Sequence, residues 1–263
     1  MYSTKNPYNK FNFLKNFIMN LTFIDTETTG IQEQDVIIQL GFINEIDSKI
    51  VHEVNSFFNN GTVKISLISK ATHGIMENDI KDFPIFSPQV PEYKLLEQIK
   101  DDTIFVGHNV QFDIWMLTKV WLQINKFIDT LQITKHLLQD QEEEFENTYR
   151  LDVLKFYFME KWITFPNLKA HDAMSDVLVM KQIFKYFFSL IKEKFSLSSD
   201  SEIITKMIEL TNSPILLKKI NFGKYKWTTF AEIAKNDRNY LEWLGKNSDD
   251  ENVRFTCGRY LRG

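Results

Sequence analysis

Cysteine is nearly absent from this chain. Cys257 stands alone among 263 residues, which excludes an internal disulfide and fits a reducing, cytoplasmic setting. With one thiol and five scattered histidines, a thiolate zinc site has too few donors to draw on. Long apolar runs are missing too: no 18 consecutive apolar residues occur, so no membrane span is read. The opening segment, dotted with Lys5, Lys10 and Lys15, lacks a continuous apolar stretch and a small-residue cleavage site, so it does not read as a signal peptide. Glycine is sparse, and Gly30 and Gly41 form no phosphate-cradling loop. No internal repeat is evident. Excess positive charge is also lacking, since the net charge is −4. That total argues against a nucleic-acid partner only superficially, because acids that hold metal count against it. Residues 214–226 carry Lys218, Lys219, Lys224 and Lys226 and no acid, a local patch able to meet phosphates, although such a run is more often a solvated loop.

What is present is a core. Apolar residues make up 43% of the chain and 23 are Phe, enough for one domain of about 180–200 residues and a small appendage. Residues 21–27, 36–46 and 49–57 read as strands, the last two joined by a turn at Asp47-Ser48. This gives a three-stranded antiparallel start. Helices are expected over 92–100, 110–121, 131–138 (capped by Asp129-Thr130), 150–161 and 173–194, with short strands at 103–106 and 127–128. Val177, Met180, Ile183, Phe184, Phe187 and Phe188 form the core stripe of the last helix. Residues 140–146, rich in Asp and Glu, read as an exposed loop. The pattern describes an α/β fold, a mixed sheet flanked by helices. Residues 1–19 read as an extension, 20–195 as the main domain, 196–213 as linker and helix (the boundary at the serine-rich 196–201), and 214–263 as a C-terminal module.

The chain is organised around residues 21–30, in which an apolar run leads into Asp25 and Glu27 and then a turn at Gly30. Side chains two apart on a strand share a face, so these carboxylates project together from the end of a buried element. Such a pair repels and is costly to desolvate unless a cation sits between, and a hard divalent ion such as Mg²⁺ takes oxygen ligands. Asp140 with Glu142, and Asp249 with Glu251, have the same spacing but no strand before them and read as solvated faces. Two further acids stand where a site needs them. Asp113 follows a strand end at Gly107-His108-Asn109, at the sheet edge where open α/β folds bind ligands. Asp176 begins the strongest helix, five residues after His171. Five residues are roughly 140° around a helix, so both reach one site only if His171 stands in the preceding loop.

Four acids and a histidine on separate elements suit two-metal phosphoryl chemistry, with ions about 3.5–4 Å apart. In this reading Asp25 bridges, Glu27 and Asp176 complete the site of the attacking water, and Asp113 acts through the second ion. His171 takes the water's proton, and the product is a nucleoside 5′-monophosphate. His108 also lies five before an acid and competes for the base role; the motif match described next favours His171.

The segments FIDTETTG at 23–30, GHNVQFD at 107–113 and HDAMSD at 171–176 resemble the three motifs of the DEDDh (DnaQ-like) 3′→5′ exonucleases, in the same order. His73-Gly74-Ile75 is similar to a structural element of the proofreading branch. The resemblance implies a ribonuclease H-like mixed five-stranded sheet, two Mg²⁺ or Mn²⁺ ions per site, and Thr28, Ile31, His108 and Asn109 at the terminal nucleotide, with Ile31 packing on the last base. Residues 221–226, 231–234 and 239–244 resemble the C-terminal module of the exodeoxyribonuclease X type. That implies action on DNA 3′ ends, single- or double-stranded, a role in DNA repair, and repair or replication proteins as partners. Trp227 departs from the module's usual Gly and adopts positive φ less cheaply. Lys224, Tyr225, Lys226 and Trp227 read as nucleic-acid contacts, rings stacking bases beside phosphate-binding charge. The competing readings are an exoribonuclease of the oligoribonuclease kind and a polymerase-associated proofreading or binding subunit.

Overall fold

The structure, a computed structural model, describes residues 18–145, 148–161, 163–165 and 171–262, leaving aside the side chains at 142–144. Strand β1 (Asn20–Thr28) is followed by β2 (Ile37–Ile46) and β3 (Lys49–Phe57). Asp47 and Ser48 join β2 to β3 with φ of 47° and 66°. Two consecutive positive φ values suit the right-handed twist of a tight hairpin. Short helices α1 (Leu67–His73) and α2 (Glu77–Ile80) lead to α3 (Pro91–Ile99), which Pro91 opens at a position where its missing N–H costs nothing. Then come β4 (Ile104–Gly107), α4 (Val110–Thr118), β5 (Phe127–Asp129) and α5 (Thr130–Leu138). Helices α6 (Leu151–Glu160), α7 (Ala173–Lys194) and α8 (Asp200–Asn212) complete the larger part. The C-terminal module holds α9 (Phe230–Asn236), α10 (Arg238–Asn247) and α11 (Glu251–Leu261).

The five strands form one sheet in the order β3-β2-β1-β4-β5, with β2 antiparallel and β4 parallel to the central β1. Alternation along β1 divides the core. Leu21 and Phe23 pack with Val177, Met180, Phe184 and Phe187 of α7, while Ile24 faces Val110 and Met116 of α4. The two carboxylates of β1 therefore sit at the end of a strand sandwiched between two helices. The β1–β2 register slips between Glu27 and Thr28, an irregularity of the kind that re-aims side chains beside active sites. Gly41, opposite Asp25 on β2, lets α7 start directly over the sheet: a Cβ there would lie 2.7 Å from backbone atoms of Ala173 and Met174.

Three expectations change. Residues 139–145 form a 3₁₀ helix (Gln139–Phe145) instead of an exposed loop, because Phe145 is buried against Tyr149 and Tyr157. Helix α4 ends at Thr118, short of residue 121, and Trp121 takes a left-handed φ of 66° with its ring exposed. The serine-rich 196–201 is a turn within one core, not a boundary between cores: Ile203, Ile204 and Met207 of α8 are buried in the same cluster as α7. The module's own core is Ile220, Phe230, Ile233, Leu241, Leu244, Val253 and Cys257. The expected N-terminal extension lies outside the described residues as far as position 17, while Met19 hydrogen-bonds through its N–H to Asp47 Oδ1 at 3.0 Å.

Backbone atoms cannot move aside as side-chain ends can, so Gly41→Ala must push the start of α7 outward. Overpacking of this kind costs about 1–3 kcal/mol and a shift near 1 Å costs about 10²-fold in rate. The expected result is a lowered thermal midpoint together with a disproportionate loss of turnover, measured by calorimetry and kcat on one preparation.

Candidate active site

The site lies at the C-terminal end of β1. Asp25, Glu27 and Asp176 each present a carboxylate oxygen within 4.8 Å of the others. Glu27 is buried, and Asp25 and Asp176 are half-buried. Asp176 comes from the first turn of α7, whose N-cap is Asp172: its Oδ2 accepts from Ser175 N at 3.1 Å and Ser175 Oγ at 2.7 Å. Gln39 of β2, buried beside Glu27 in register, donates to Asp172 Oδ1 at 2.7 Å and to Asn55 Oδ1 at 2.9 Å. Sheet and helix are thus riveted beside the carboxylates, a role with no signal in the sequence beyond a polar residue in an apolar strand.

Asp113 approaches from the opposite face. It is buried, and its Oδ1 accepts from Thr26 N at 2.9 Å and Thr26 Oγ1 at 2.7 Å, which fixes α4 to β1 between the two strand acids. It stands next to the three-acid cluster, not within it.

The charges are costly where they are. Burial, then Asp113, Glu27 and Asp176, push the Asp25 carboxyl well above its usual range. Burial also raises Asp113 to about 7 against the Thr26 hydrogen bonds. Asp176 likewise rises to about 7, chiefly through burial and, less, through Asp172 and Asp152. A group of carboxyls that resists ionisation and offers only oxygen is the donor set a hard divalent cation neutralises. Asp25, Glu27 and Asp176 fit such an ion by spacing, burial and chemistry.

His171 precedes the helix, as the spacing requires, with a left-handed φ of 56°. Its Nδ1 is 4.0 Å from Asp176 Oδ2, so the ring borders the cluster. The other ring nitrogen faces Arg150 and Asp152, residues that sequence reasoning passed over.

The remaining expected residues divide. Ile31 is 73% exposed on a loop that is firmly held. Asp35 accepts from Thr29 Oγ1 and Gln32 N, both at 2.7 Å, and Lys119 Nζ donates to the carbonyls of Gln32 and Asp35. Gly30 is needed there, because a Cβ would fall 2.4 Å from Asp35 Oδ2. Asn109 is exposed with φ 64°, its N–H given to Asp129 Oδ1 at 3.0 Å. Thr28 is buried and spends its hydroxyl on Gly30 O at 2.7 Å. His108 does not turn to the cluster: Nε2 donates to Tyr149 O at 2.7 Å and Nδ1 lies 3.0 Å from Thr130 Oγ1. Burial lowers its pKa to about 4, so the ring is neutral, held between Thr130 and Tyr149. His73 is buried, accepting from Ile75 N at 3.0 Å and meeting Thr28 O at 3.3 Å, which holds α1 over the end of β1.

In the module, Trp227 keeps the left-handed turn despite its side chain, with φ 69° and its N–H on Ile220 O. Lys224 and Tyr225 both bond Asp237 Oδ2, at 3.0 and 2.7 Å, at the surface of the module. Lys226 lies 5.5 Å from the Trp227 ring centroid.

A raised carboxyl pKa adds stability that is fully present below the unfolded value and is lost as pH rises through the folded one. In EDTA the thermal midpoint should therefore fall between about pH 4 and pH 7. Mg²⁺ or Mn²⁺ should raise it strongly near pH 8 and little near pH 5, with proton release on binding. Asp176→Asn should flatten both responses. A midpoint in EDTA that climbs through this window would contradict the burial of these charges.

Comparison with known proteins follows the same outline. The exonuclease family profile matches residues 22–184, and the exodeoxyribonuclease X-like C-terminal profile matches residues 220–249. Exodeoxyribonuclease 10 of Escherichia coli (strain K12) is 26% identical over 243 residues, covering 92% of this chain and 98% of that protein. The PolC-type DNA polymerase III of Caldanaerobacter subterraneus subsp. tengcongensis is 30% identical over 233 residues, but the chain spans only 15% of that protein's length. Exonuclease X, solved in complex with 5′-overhanging duplex DNA, shares the fold at a TM-score of 0.52 and 22% identity, over 73% of this chain and 99% of that one. No helix among the described residues is long and apolar enough to cross a membrane. With the three motifs converging at the end of β1 and a C-terminal module behind them, the chain belongs to the DEDDh (DnaQ-like) exonuclease family.

Proposed function

We propose that this chain is a metal-dependent 3′→5′ DNA exonuclease of the exodeoxyribonuclease X type, releasing 5′-mononucleotides. The observation that carries the reading is the meeting of Asp25, Glu27 and Asp176 within 4.8 Å, with Asp113 beside them. Asp25, Glu27 and Asp176 would hold one Mg²⁺ or Mn²⁺, and Asp25 and Asp113 a second. When bound, the two ions supply charge neutralisation at the attacking and leaving oxygens of an in-line displacement. The protein's own groups do the rest. His171 accepts a proton from water as its oxygen adds to phosphorus, the P–O3′ bond breaks, and the 3′-oxygen takes a proton from solvent. Ile31, on its braced loop, packs on the last base, and Asn109 also meets the terminal nucleotide.

The exodeoxyribonuclease X-like profile over residues 220–249 and the match over 98% of exodeoxyribonuclease 10 support DNA over RNA as substrate. In the module, Lys224, Tyr225, Lys226 and Trp227 are the contacts offered to a strand, the first two steadied by Asp237 at the surface. A cytoplasmic repair role, alongside repair or replication proteins, is the setting this chemistry fits.

The test is hydrolysis of 3′-labelled single-stranded DNA, duplex DNA and RNA, with Mg²⁺ or EDTA. Release of 5′-mononucleotides from DNA is expected, lost in EDTA and reduced at least about 10³-fold in Asp25→Ala, with circular dichroism unchanged. Faster hydrolysis of RNA than of DNA would transfer the assignment to an exoribonuclease. Release that survives both EDTA and Asp25→Ala would refute the site.

A further inference from the structure

The C-terminal module exposes aromatic surface that its own core does not use. Leu241 and Leu244 bury one side of α10 in that core. On the other side, Asn239, Tyr240, Trp243, Lys246 and Asn247 fall within an arc of about 120°, at roughly 100° per residue. Tyr240 and Tyr225 rest against the core, but Trp243 is not part of it and stays 55% exposed. The rings nevertheless stand in a row. Tyr225 meets Tyr240 edge-on with centroids 4.9 Å apart, and Trp243 follows at 5.8 Å from Tyr240. Gly223, with φ 62°, lays the preceding turn against Tyr240, since a Cβ there would lie 3.6 Å from the tyrosine Oη. Lys224, next in the chain, holds its ammonium 4.6 and 4.8 Å from the Tyr225 and Tyr240 ring centroids. Turn and helix therefore share one surface.

Charge decides what such a surface receives. Asp237, beside the rings, is bonded by Lys224 at 3.0 Å and by Tyr225 at 2.7 Å. Glu242 falls outside the arc and pairs with Arg238 at 3.6 Å. Exposed Lys224, Lys246, Asn239 and Asn247 surround the rings. An ammonium has three N–H donors, so Lys224 can bond a phosphate and Asp237 together. Protein interfaces deplete charge at their centre, whereas here a lysine stands among the rings. Rings in series beside cations are how sequence-tolerant proteins hold single strands: every base has a π-face to stack, and the charge follows the backbone. We propose that Tyr240 and Trp243 of α10, with Lys224 and Lys246, form a holding site for single-stranded DNA: bases stack on Trp243 and phosphates meet the two lysines, while the 3′ end of the same strand lies at the acidic cluster. The choice of DNA rests on the exonuclease reading. The site supplies affinity rather than chemistry, because it binds substrate and transition state alike, and only a strand long enough to reach both places gains from it.

The full chain is tested with fluorescein-labelled oligothymidylates of about 3 and about 30 nucleotides, below and above the roughly 4–16 that single-strand sites cover. Binding of the long strand is read by anisotropy in EDTA. Hydrolysis of both lengths is read as 5′-mononucleotide release in Mg²⁺, for wild type, Trp243→Ala, Trp243→Phe, Lys246→Glu and Asp25→Ala. Trp243→Ala should weaken binding of the long strand about 5- to 100-fold and raise its KM, while its kcat and both constants on the short strand stay within about twofold. Trp243→Phe keeps a ring and should bind within about threefold of wild type. Lys246→Glu should weaken binding of the long strand and flatten its dependence on salt. Unchanged binding in Trp243→Ala overturns the proposal, and is the result expected if the row receives a protein. Equal KM losses on both lengths overturn it as well, since the fault then lies at the place of cutting or in folding. An RNA strand of the same length held more tightly than the DNA overturns the choice of DNA. If Trp243→Ala does not fold, Lys246→Glu carries the test by the same comparison of lengths. A wild type that releases nothing, alike with Asp25→Ala, while Trp243→Ala still weakens binding, overturns the exonuclease reading alone.

Discussion

Mutual repulsion among carboxylates gathered at one strand end is the constraint the rest of the protein answers. Asp25, Glu27, Asp113 and Asp176 arrive from β1, α4 and α7, and burial together with their neighbours lifts Asp25, Asp113 and Asp176 above their usual range. No side chain of the cluster favours the arrangement, so it is enforced from outside. Thr26 fastens Asp113 with its N–H and its hydroxyl, and Gln39 fastens the cap of α7 to β2. Gly41 removes the one Cβ that would hold that helix away. Strained backbone collects nearby, at Asn109 and His171, as expected where the surrounding structure over-determines a functional site. A hard cation converts the same cost into affinity, since the repulsion it relieves is built in before it binds.

The parts legible in the sequence share a local cause. Strand β1 announced itself through apolar residues running into acids, the hairpin through Asp47-Ser48, and α7 through a stripe of Val, Met, Ile and Phe behind a capping Asp172. In each, the residues that set the structure are adjacent in the chain. The position of His171 followed from helix geometry for the same reason.

What escaped was set by contacts far apart in sequence. The segment 139–145 reads as polar, yet Phe145 is captured by Tyr149 and Tyr157 and turns the segment inward. The ring contacts of His108 come from Thr130 and Tyr149, 22 and 41 residues on, which its neighbours in the chain do not reveal. Lys224 and Tyr225 meet Asp237, 13 and 12 residues on, a pairing their local sequence does not show. Trp227 is the opposite case: composition argued for an altered turn, and the backbone kept it.

Helix α8 has a consequence for what counts as one inherited piece. It lies beyond the stretch, 22–184, by which kinship is recognised, and its own sequence reads as a connector. Yet Thr211 accepts the N–H of Asp129, and Asp129 in turn holds the N–H of Asn109 at the threshold of the helix that carries Asp113. The ancestral catalytic unit and the physical one therefore have different edges, and a fragment trimmed to the former would keep every reactive group while losing a tie beam behind them.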